Sequence, residues 1–267
     1  MTWTIPQRSD GPSGLALSRA GSGPTIVLIH GVGLRSESWA RQIPALAERF
    51  TVIAVDLPGH GDSAPFDAQP SLADYAGRIA KVIDMQTGPA VIAGHSLGAL
   101  IALEIATRQP DLCAGVAALN AIFRRSKQAA DAVRARADSL PLDEIADPEP
   151  TLERWFSIDR NPDAKQACRE WLLGADPAGY KAAYTVFAHS DGPADETLRA
   201  LPCPALFMTG SEEPNSTPAM SEAMAALVKD GQCAVIDGAA HMMPMTHPDS
   251  VNAALLDFAG RCHGGAA

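Results

Sequence analysis

The apolar positions of the chain fall into short continuous runs instead of alternating with polar ones. Runs rich in β-branched residues recur at 25–30, 51–56, 90–94, 115–119, 205–209 and 234–237. Continuous apolarity is typical of strands that are covered on both faces, as in a parallel sheet. Because stretches with helical spacing lie between these runs, the pattern predicts an α/β fold with a doubly wound, mostly parallel sheet.

Two segments lack this regular alternation of apolar runs and stretches with helical spacing. Near the start, residues 14–31 favour an antiparallel hairpin at the sheet edge, with Gly21–Pro24 as its turn. Between about 121 and 200 the chain has helical spacing, several prolines and no convincing strand. We therefore expect a helical cap at 121–200, inserted into a core formed by 1–120 and 201–267.

The composition of the chain restricts the classes of molecule that it is expected to bind. The formal net charge is −10 and no long Lys/Arg block occurs, which argues against nucleic acid and anionic membranes and leaves a small molecule as the expected partner. No stretch approaches the ~18 uncharged apolar residues of a membrane helix, and residues 1–14 lack the pattern of a secretory leader. We expect a soluble, cytoplasmic protein of unknown oligomeric state.

The five cysteines are scattered and lack CxxC spacing. This pattern predicts reduced structural thiols, with neither a disulfide framework nor a zinc site. No metal ligand set is expected.

The stretch GHSLG, residues 94–98, holds a serine between two glycines. The pattern alone is weakly specific, but an apolar run precedes it and a helix-spaced apolar face follows it. A strand-to-helix turn this tight strains the backbone of Ser96, and only glycine avoids a clash at positions 94 and 98. Such a turn would expose the Ser96 hydroxyl and direct the Leu97 N–H toward developing negative charge. The alternative is a glycine-rich turn with an incidental serine.

A nucleophilic serine needs a base, and the base needs a carboxylate. His241 follows the last predicted strand and precedes a terminal helix opened by Pro248, which puts it at the carboxyl edge of the sheet, where sites form. His247 is a rival, although it has the position of a helix-entry residue. Glu212 and Glu213 both follow the strand at 205–209, and position alone leaves the choice open.

The loop after the first parallel strand, HGVG at 30–33, offers a second oxyanion donor, the N–H of Val32. We interpret His30 as a scaffold residue that holds this loop. The loop lacks both a Walker lysine and a GxGxxG, which argues against a phosphate site.

Five motifs occur in order: HGVG at 30–33, DLPGHGDS at 56–63, GHSLG at 94–98, the loop at 210–214 and GAAH at 238–241. In these the chain resembles the α/β-hydrolase superfamily, and more narrowly its capped bacterial esterases, enol-lactone hydrolases, carbon–carbon bond hydrolases and haloperoxidase-like proteins. The resemblance covers the whole chain except the cap, which matches only in placement and helical character.

The resemblance implies a triad and an oxyanion hole. Carried over by position, Ser96 is the nucleophile, His241 the base and Glu213 the acid, although relatives commonly have aspartate at that place. Val32 and Leu97 would donate their N–H groups, and no metal or organic cofactor is needed. The other acid position of relatives holds Asn120, and His60 is interpreted as structural.

Aromatic residues of the cap are candidates for the substrate pocket. Trp155 and Phe187 are the two we assign to substrate binding, and the others are Phe156, Trp171, Tyr180 and Tyr184. Aromatic residues at helical spacing are also typical of a hydrophobic core within the cap, which is the alternative interpretation. His189 and Arg124 could reach a substrate carboxylate.

These inferences predict a serine hydrolase that cleaves a small or medium, mostly apolar carboxylic ester or lactone through an acyl-enzyme. The sequence leaves two alternatives open. One is a carbon–carbon bond hydrolase or lyase with the same triad, and the other is a non-catalytic ligand-binding module of the same fold.

Overall fold

The structure is a computed structural model that describes residues 3–157 and 161–264. Residues 158–160 of the predicted cap and both extreme ends of the predicted core lie outside the described residues. The strands are β1 Arg8–Asp10, β2 Ala16–Ala20, β3 Thr25–Ile29, β4 Thr51–Val55, β5 Ala90–His95, β6 Cys113–Leu119, β7 Ala205–Gly210 and β8 Gly231–Ile236.

Helices cover the sheet and fill the segment between β6 and β7. They are α1 Ile43–Ala47, α2 Leu72–Asp84, α3 Leu97–Arg108, α4 Lys127–Ser139, α5 Glu149–Trp155, α6 Pro162–Leu173, α7 Pro177–Ala188, α8 Asp195–Arg199, α9 Pro218–Leu227, α10 Met243–Thr246 and α11 Pro248–Cys262. Among the described residues, none of these helices has the length and apolarity that a membrane span requires.

The strands form one sheet in the order β1-β2-β4-β3-β5-β6-β7-β8. Strands β3 to β8 are parallel, which confirms the predicted α/β fold, whereas β1 and β2 are antiparallel to their neighbours. Because β4 and β5 lie on opposite sides of β3, the winding reverses there. The crevice at the carboxyl ends of β3 and β5 is therefore where an α/β sheet of this kind places a ligand.

The predicted hairpin is wrong in its pairing. β2 does not pair with β3 but runs antiparallel to β4, with Leu17 opposite Val55, while β4 pairs on its other edge with β3. The turn at Gly21–Pro24 therefore carries the chain across β4 instead of closing a hairpin. The hydrophobic pattern could not show this, because both arrangements bury the same residues of β2.

Strands β3 to β7 are buried on both faces, as the continuous apolar runs predict, but the run at 234–237 lies at the end of the edge strand β8, where Val235 is 42% exposed. In β3, Val27 and Ile29 belong to a core with α2, α3 and α9, whereas Ile26 and Leu28 face a second core with α1 and α11. The segment at 121–200, which we call the helical insertion, contains α4 to α8, and its described residues form no strand.

Candidate active site

Ser96 lies at the turn between β5 and α3, and its backbone is strained. Its φ of 56° and ψ of −116° are outside the regions that serine ordinarily adopts. The Ser96 N–H donates to the Leu119 carbonyl at 2.9 Å, which ties the turn to β6. The predicted strand-to-helix turn is confirmed, and the first N–H groups of α3, which lack intrahelical partners, begin at Leu97.

Gly98 allows the turn to pack against the end of β3 and the start of the loop that follows it. A Cβ at this position would lie 2.2 Å from the Ile29 carbonyl oxygen and 2.6 Å from that of His30. Both contacts are with backbone, so no change of rotamer can relieve them. Glycine at 98 is therefore required by the close approach of α3 to the end of β3.

We expect Gly98→Ala to lower the free energy of unfolding by about 1–3 kcal/mol, because the new methyl group overpacks a rigid backbone contact. Urea unfolding measures the effect. Gly77→Ala is the matched control, since Gly77 is also helical and a Cβ there meets nothing within 4 Å; this variant should be neutral or slightly more stable. Equal unfolding curves for the two variants would contradict the packing argument.

His241 and Glu213 form a hydrogen-bonded pair at the carboxyl edge of the sheet. Nδ1 of His241 donates to Oε2 of Glu213 at 2.7 Å, and both residues are buried. With the proton on Nδ1, the imidazole keeps Nε2 as its basic nitrogen. This is the arrangement that a catalytic base requires from its acid.

The Glu213 carboxylate is kept ionised in its buried position. Oε1 accepts from the N–H groups of Asn215 at 2.8 Å and Ser216 at 3.3 Å. Burial raises the pKa of Glu213, but the charge of His241 and these hydrogen bonds together outweigh burial and lower the pKa to about 2. The Glu213 side chain is therefore an anion throughout the neutral range.

The structure separates the predicted acid and base from their rivals. Glu212 is exposed, and its Oε1 accepts from the Ser211 hydroxyl at 3.4 Å. His247 is the N-cap of α11, the helix-entry position that the sequence indicated. Of the two glutamates and the two histidines, the structure brings together Glu213 and His241.

The carbonyl of His241 is held by two residues that the sequence analysis did not assign to this position. Nε2 of His95 donates to it at 2.9 Å, and Nδ2 of Asn120 donates at 2.6 Å. Burial, reinforced by the charge of His241, lowers the pKa of His95 to about 3, so that His95 is neutral. The only signal in the sequence was that Asn120 follows β6 at a place where relatives carry an acid.

The loop at 30–33, predicted to supply an oxyanion donor, is held by two buried histidines. Nδ1 of His30 donates to the Gly31 carbonyl at 2.8 Å, and Nε2 accepts from the Leu57 N–H at 2.9 Å. His60 accepts from the Gly33 N–H at 3.0 Å. Both histidines are thus scaffold residues, as predicted, and they hold the loop that carries Val32.

Ser96, His241 and Val32 line one cavity of about 500 Å³ between the sheet edge and the helical insertion. This volume suits a small-molecule ligand. Trp155 and Phe187, predicted to contact substrate, also line it. The Trp155 ring stacks on the His241 imidazole, with centroids 5.6 Å apart and planes inclined by 23°.

The other predicted pocket residues divide into two groups. Tyr180 and Tyr184 line the cavity. Phe156 is instead buried in the core, and Trp171 makes an edge contact with Trp3 at 6.5 Å. Helical periodicity could not distinguish the two groups, because it shows which face is buried but not whether a cavity lies beneath it.

Neither of the two residues suggested for a substrate carboxylate lines this cavity. Arg124 pairs with Asp195, and its side chain is 59% exposed. His189 follows α7, and its Nδ1 donates to the Thr185 carbonyl at 2.9 Å. In the part of the chain that the structure describes, three other arginines line the cavity instead: Arg125, Arg136 and Arg154. No local signal in the sequence indicates them: Arg136 and Arg154 lie on helices, where arginine is usually on the solvated face, and Arg125 precedes α4.

Comparisons with known proteins identify relatives of this chain. The sequence model described as the alpha/beta hydrolase family matches residues 26–254. The chain is 37% identical over 237 residues to the (E)-2-((N-methylformamido)methylene)succinate hydrolase of Acinetobacter baylyi, an alignment that covers 88% of this chain and 90% of the relative.

Two solved structures are also similar. A thermophilic esterase from Thermogutta terrifontis superposes with a TM-score of 0.86 at 27% identity, covering 96% of this chain and 99% of the esterase. An E-2-(acetamidomethylene)succinate hydrolase gives a TM-score of 0.76 at 29% identity, covering 95% of this chain and 98% of that hydrolase. The similarity in both cases extends over nearly the whole chain.

Proposed function

The chain belongs to the alpha/beta hydrolase family, and from this premise we propose that it is a serine hydrolase that cleaves a small or medium carboxylic ester or lactone through an acyl-enzyme. The observation that carries the proposal is the hydrogen bond of 2.7 Å between His241 and Glu213, at a cavity that Ser96 also lines. In this proposal residues 121–200 form a cap over a core of 1–120 and 201–267.

Ser96 attacks the substrate carbonyl while Nε2 of His241 takes the hydroxyl proton. Glu213 holds the imidazole in the required tautomer and stabilises the cation that forms. The N–H groups of Val32 and Leu97 stabilise the oxyanion, helped by the positive end of α3. His241 then protonates the leaving group, and a water molecule activated by the same imidazole releases the acid from Ser96.

Amide hydrolysis is a second candidate, favoured by the comparisons. The Acinetobacter relative and the 29%-identical solved hydrolase are both named for succinates that carry an amido-methylene group. The same attack by Ser96 would cleave an amide if His241 protonated the departing nitrogen. The ester and amide reactions share every residue and differ only in the leaving group.

A substrate panel tests the proposal. We expect a fluorophosphonate to label the wild-type protein at Ser96, and p-nitrophenyl esters, small lactones and N-acylaminomethylene succinates to include at least one substrate. Labelling without turnover of any of them would favour carbon–carbon bond cleavage, for which a vinylogous diketo acid is the probe. Absence of both labelling and turnover would favour a ligand-binding module and overturn the proposal.

A further inference from the structure

Among the described residues, three arginines line the same cavity as Ser96 and His241, and all three come from the helical insertion. Arg125 precedes α4, Arg136 lies in α4 and Arg154 lies in α5. The described residues that line the cavity include no aspartate or glutamate. In a chain with a formal net charge of −10, this local excess of positive charge is a property of the cavity and not of the composition.

Arg136 and Arg154 converge on one hydroxyl group. Nη2 of each donates to Oγ1 of the buried Thr151, at 2.7 Å and 3.3 Å respectively. Among the described residues, no carboxylate forms an ion pair with either guanidinium. Two cations are therefore held side by side without an anion between them, and an anionic ligand would relieve this repulsion.

The surroundings of Arg136 and Arg154 also favour an anionic ligand. Burial lowers the pKa of Arg154, and the positive charge of Arg136 lowers it further. Nε of Arg136 is buried without a hydrogen-bond partner, and an unsatisfied buried donor is costly unless a ligand accepts from it.

Arg125 is held by several hydrogen bonds, and one of its guanidinium nitrogens has no partner. Its side chain is only 4% exposed, and Nε donates to Asp191 at 2.8 Å. Nη2 donates to the carbonyls of Phe187 and Ala188, at 3.0 Å and 3.1 Å. Nη1 is buried and has no partner. The guanidinium is thus held by its other nitrogens, while the N–H groups of Nη1 stay unpaired.

We propose that Arg125, Arg136 and Arg154 bind a carboxylate of the substrate, so that the site selects an anionic ester, lactone or amide over a neutral one. A planar guanidinium donates two parallel hydrogen bonds to a carboxylate, and such charge-assisted bonds are the strong ones. The aromatic residues of the cavity pack against the carbon chain between this carboxylate and the carbonyl that Ser96 attacks. The inference rests on the proposed function for the position of the reacting carbonyl.

Two p-nitrophenyl esters of equal chain length test the inference. The hydrogen glutarate ester ends in a carboxylate, whereas the valerate ester ends in a methyl group. We expect the wild type to show a higher kcat/KM for the glutarate ester, and the ratio of the two values to fall about 10- to 100-fold in an Arg136→Gln/Arg154→Gln double variant, because charged hydrogen bonds to the carboxylate are lost.

Arg124→Gln is the matched control, because it removes an arginine next to Arg125 that is exposed and does not line the cavity. Its ratio should stay within about twofold of the wild-type value, since an exposed charge is screened. A wild-type ratio near one, or an equal fall of the ratio in the control, would overturn the inference.

A binding measurement separates this inference from the proposed function. In the Ser96→Ala variant, which keeps all three arginines, succinate should raise the unfolding temperature, and the neutral succinamide should not. Stabilisation by succinate without hydrolysis of any ester in the wild type would support the anion site and contradict the hydrolase. Ser96-dependent hydrolysis, with equal effects of succinate and succinamide, would support the hydrolase and contradict the anion site.

Discussion

Turnover by the Ser96→Ala variant is expected to fall about 10⁴-fold or more below that of the wild type, because the loss of the nucleophile removes the covalent route entirely. The measurement is kcat on whichever ester or lactone the wild type hydrolyses fastest. Far-ultraviolet circular dichroism and the unfolding temperature should be almost unchanged, since alanine accepts the same turn.

Ser126→Ala is the control, because Ser126 also lines the cavity. Its hydroxyl accepts from the Ala129 N–H at the start of α4, so the expected effect is a modest loss of stability with fluorophosphonate labelling retained. Near-normal turnover in Ser96→Ala, or labelling that depends on Ser126, would show that the nucleophile has been misassigned.

The second large effect is expected for Glu213→Gln, whose kcat should fall about 10³- to 10⁴-fold below that of the wild type near neutral pH. The amide has nearly the same volume as the carboxylate, but it can donate to Nδ1 of His241. Donation there favours the tautomer with the proton on Nε2, which leaves no base for the Ser96 proton. Steady-state kinetics should show little change in KM, because the carboxylate does not line the cavity.

Glu212→Gln provides the neighbouring comparison. It removes one negative charge from the same loop, but at an exposed side chain that does not contact the imidazole. We expect its kcat to stay within about twofold of the wild-type value. If Glu212→Gln were as harmful as Glu213→Gln, the role of the 2.7 Å contact would have to be abandoned.

The sheet and the motif positions could be predicted from the sequence because local chemistry determines them. Continuous apolar runs specify strands that are covered on both faces, and GHSLG leaves few conformations open to Ser96. The pairing of β2 could not be predicted, because register between distant strands depends on the path of the whole chain. The same limit explains why Glu212 and Glu213 were separated only by resemblance.

The cavity was the least predictable part. Arg136 and Arg154 are 18 positions apart in sequence and lie on different helices, so nothing local indicates that their side chains meet at Thr151. Trp155 and Phe156 are adjacent, yet only Trp155 lines the cavity. Contacts of this kind depend on the relative orientation of whole helices, which hydrophobic periodicity does not specify. The cytoplasmic location stays a prediction.

The His241 carbonyl, which accepts from both His95 and Asn120, has a consequence for how the protein can change over evolution. These bonds fasten His241 to the end of β5 and to the residue that follows β6, whereas the three cavity arginines of the described residues lie between positions 125 and 154, outside the sheet. Under the proposed mechanism, substitutions at these arginines would alter which acid is accepted without touching Ser96, His241 or Glu213. The proposed bond-breaking residues and the proposed carboxylate-binding residues would then lie on separately mutable parts of the polypeptide.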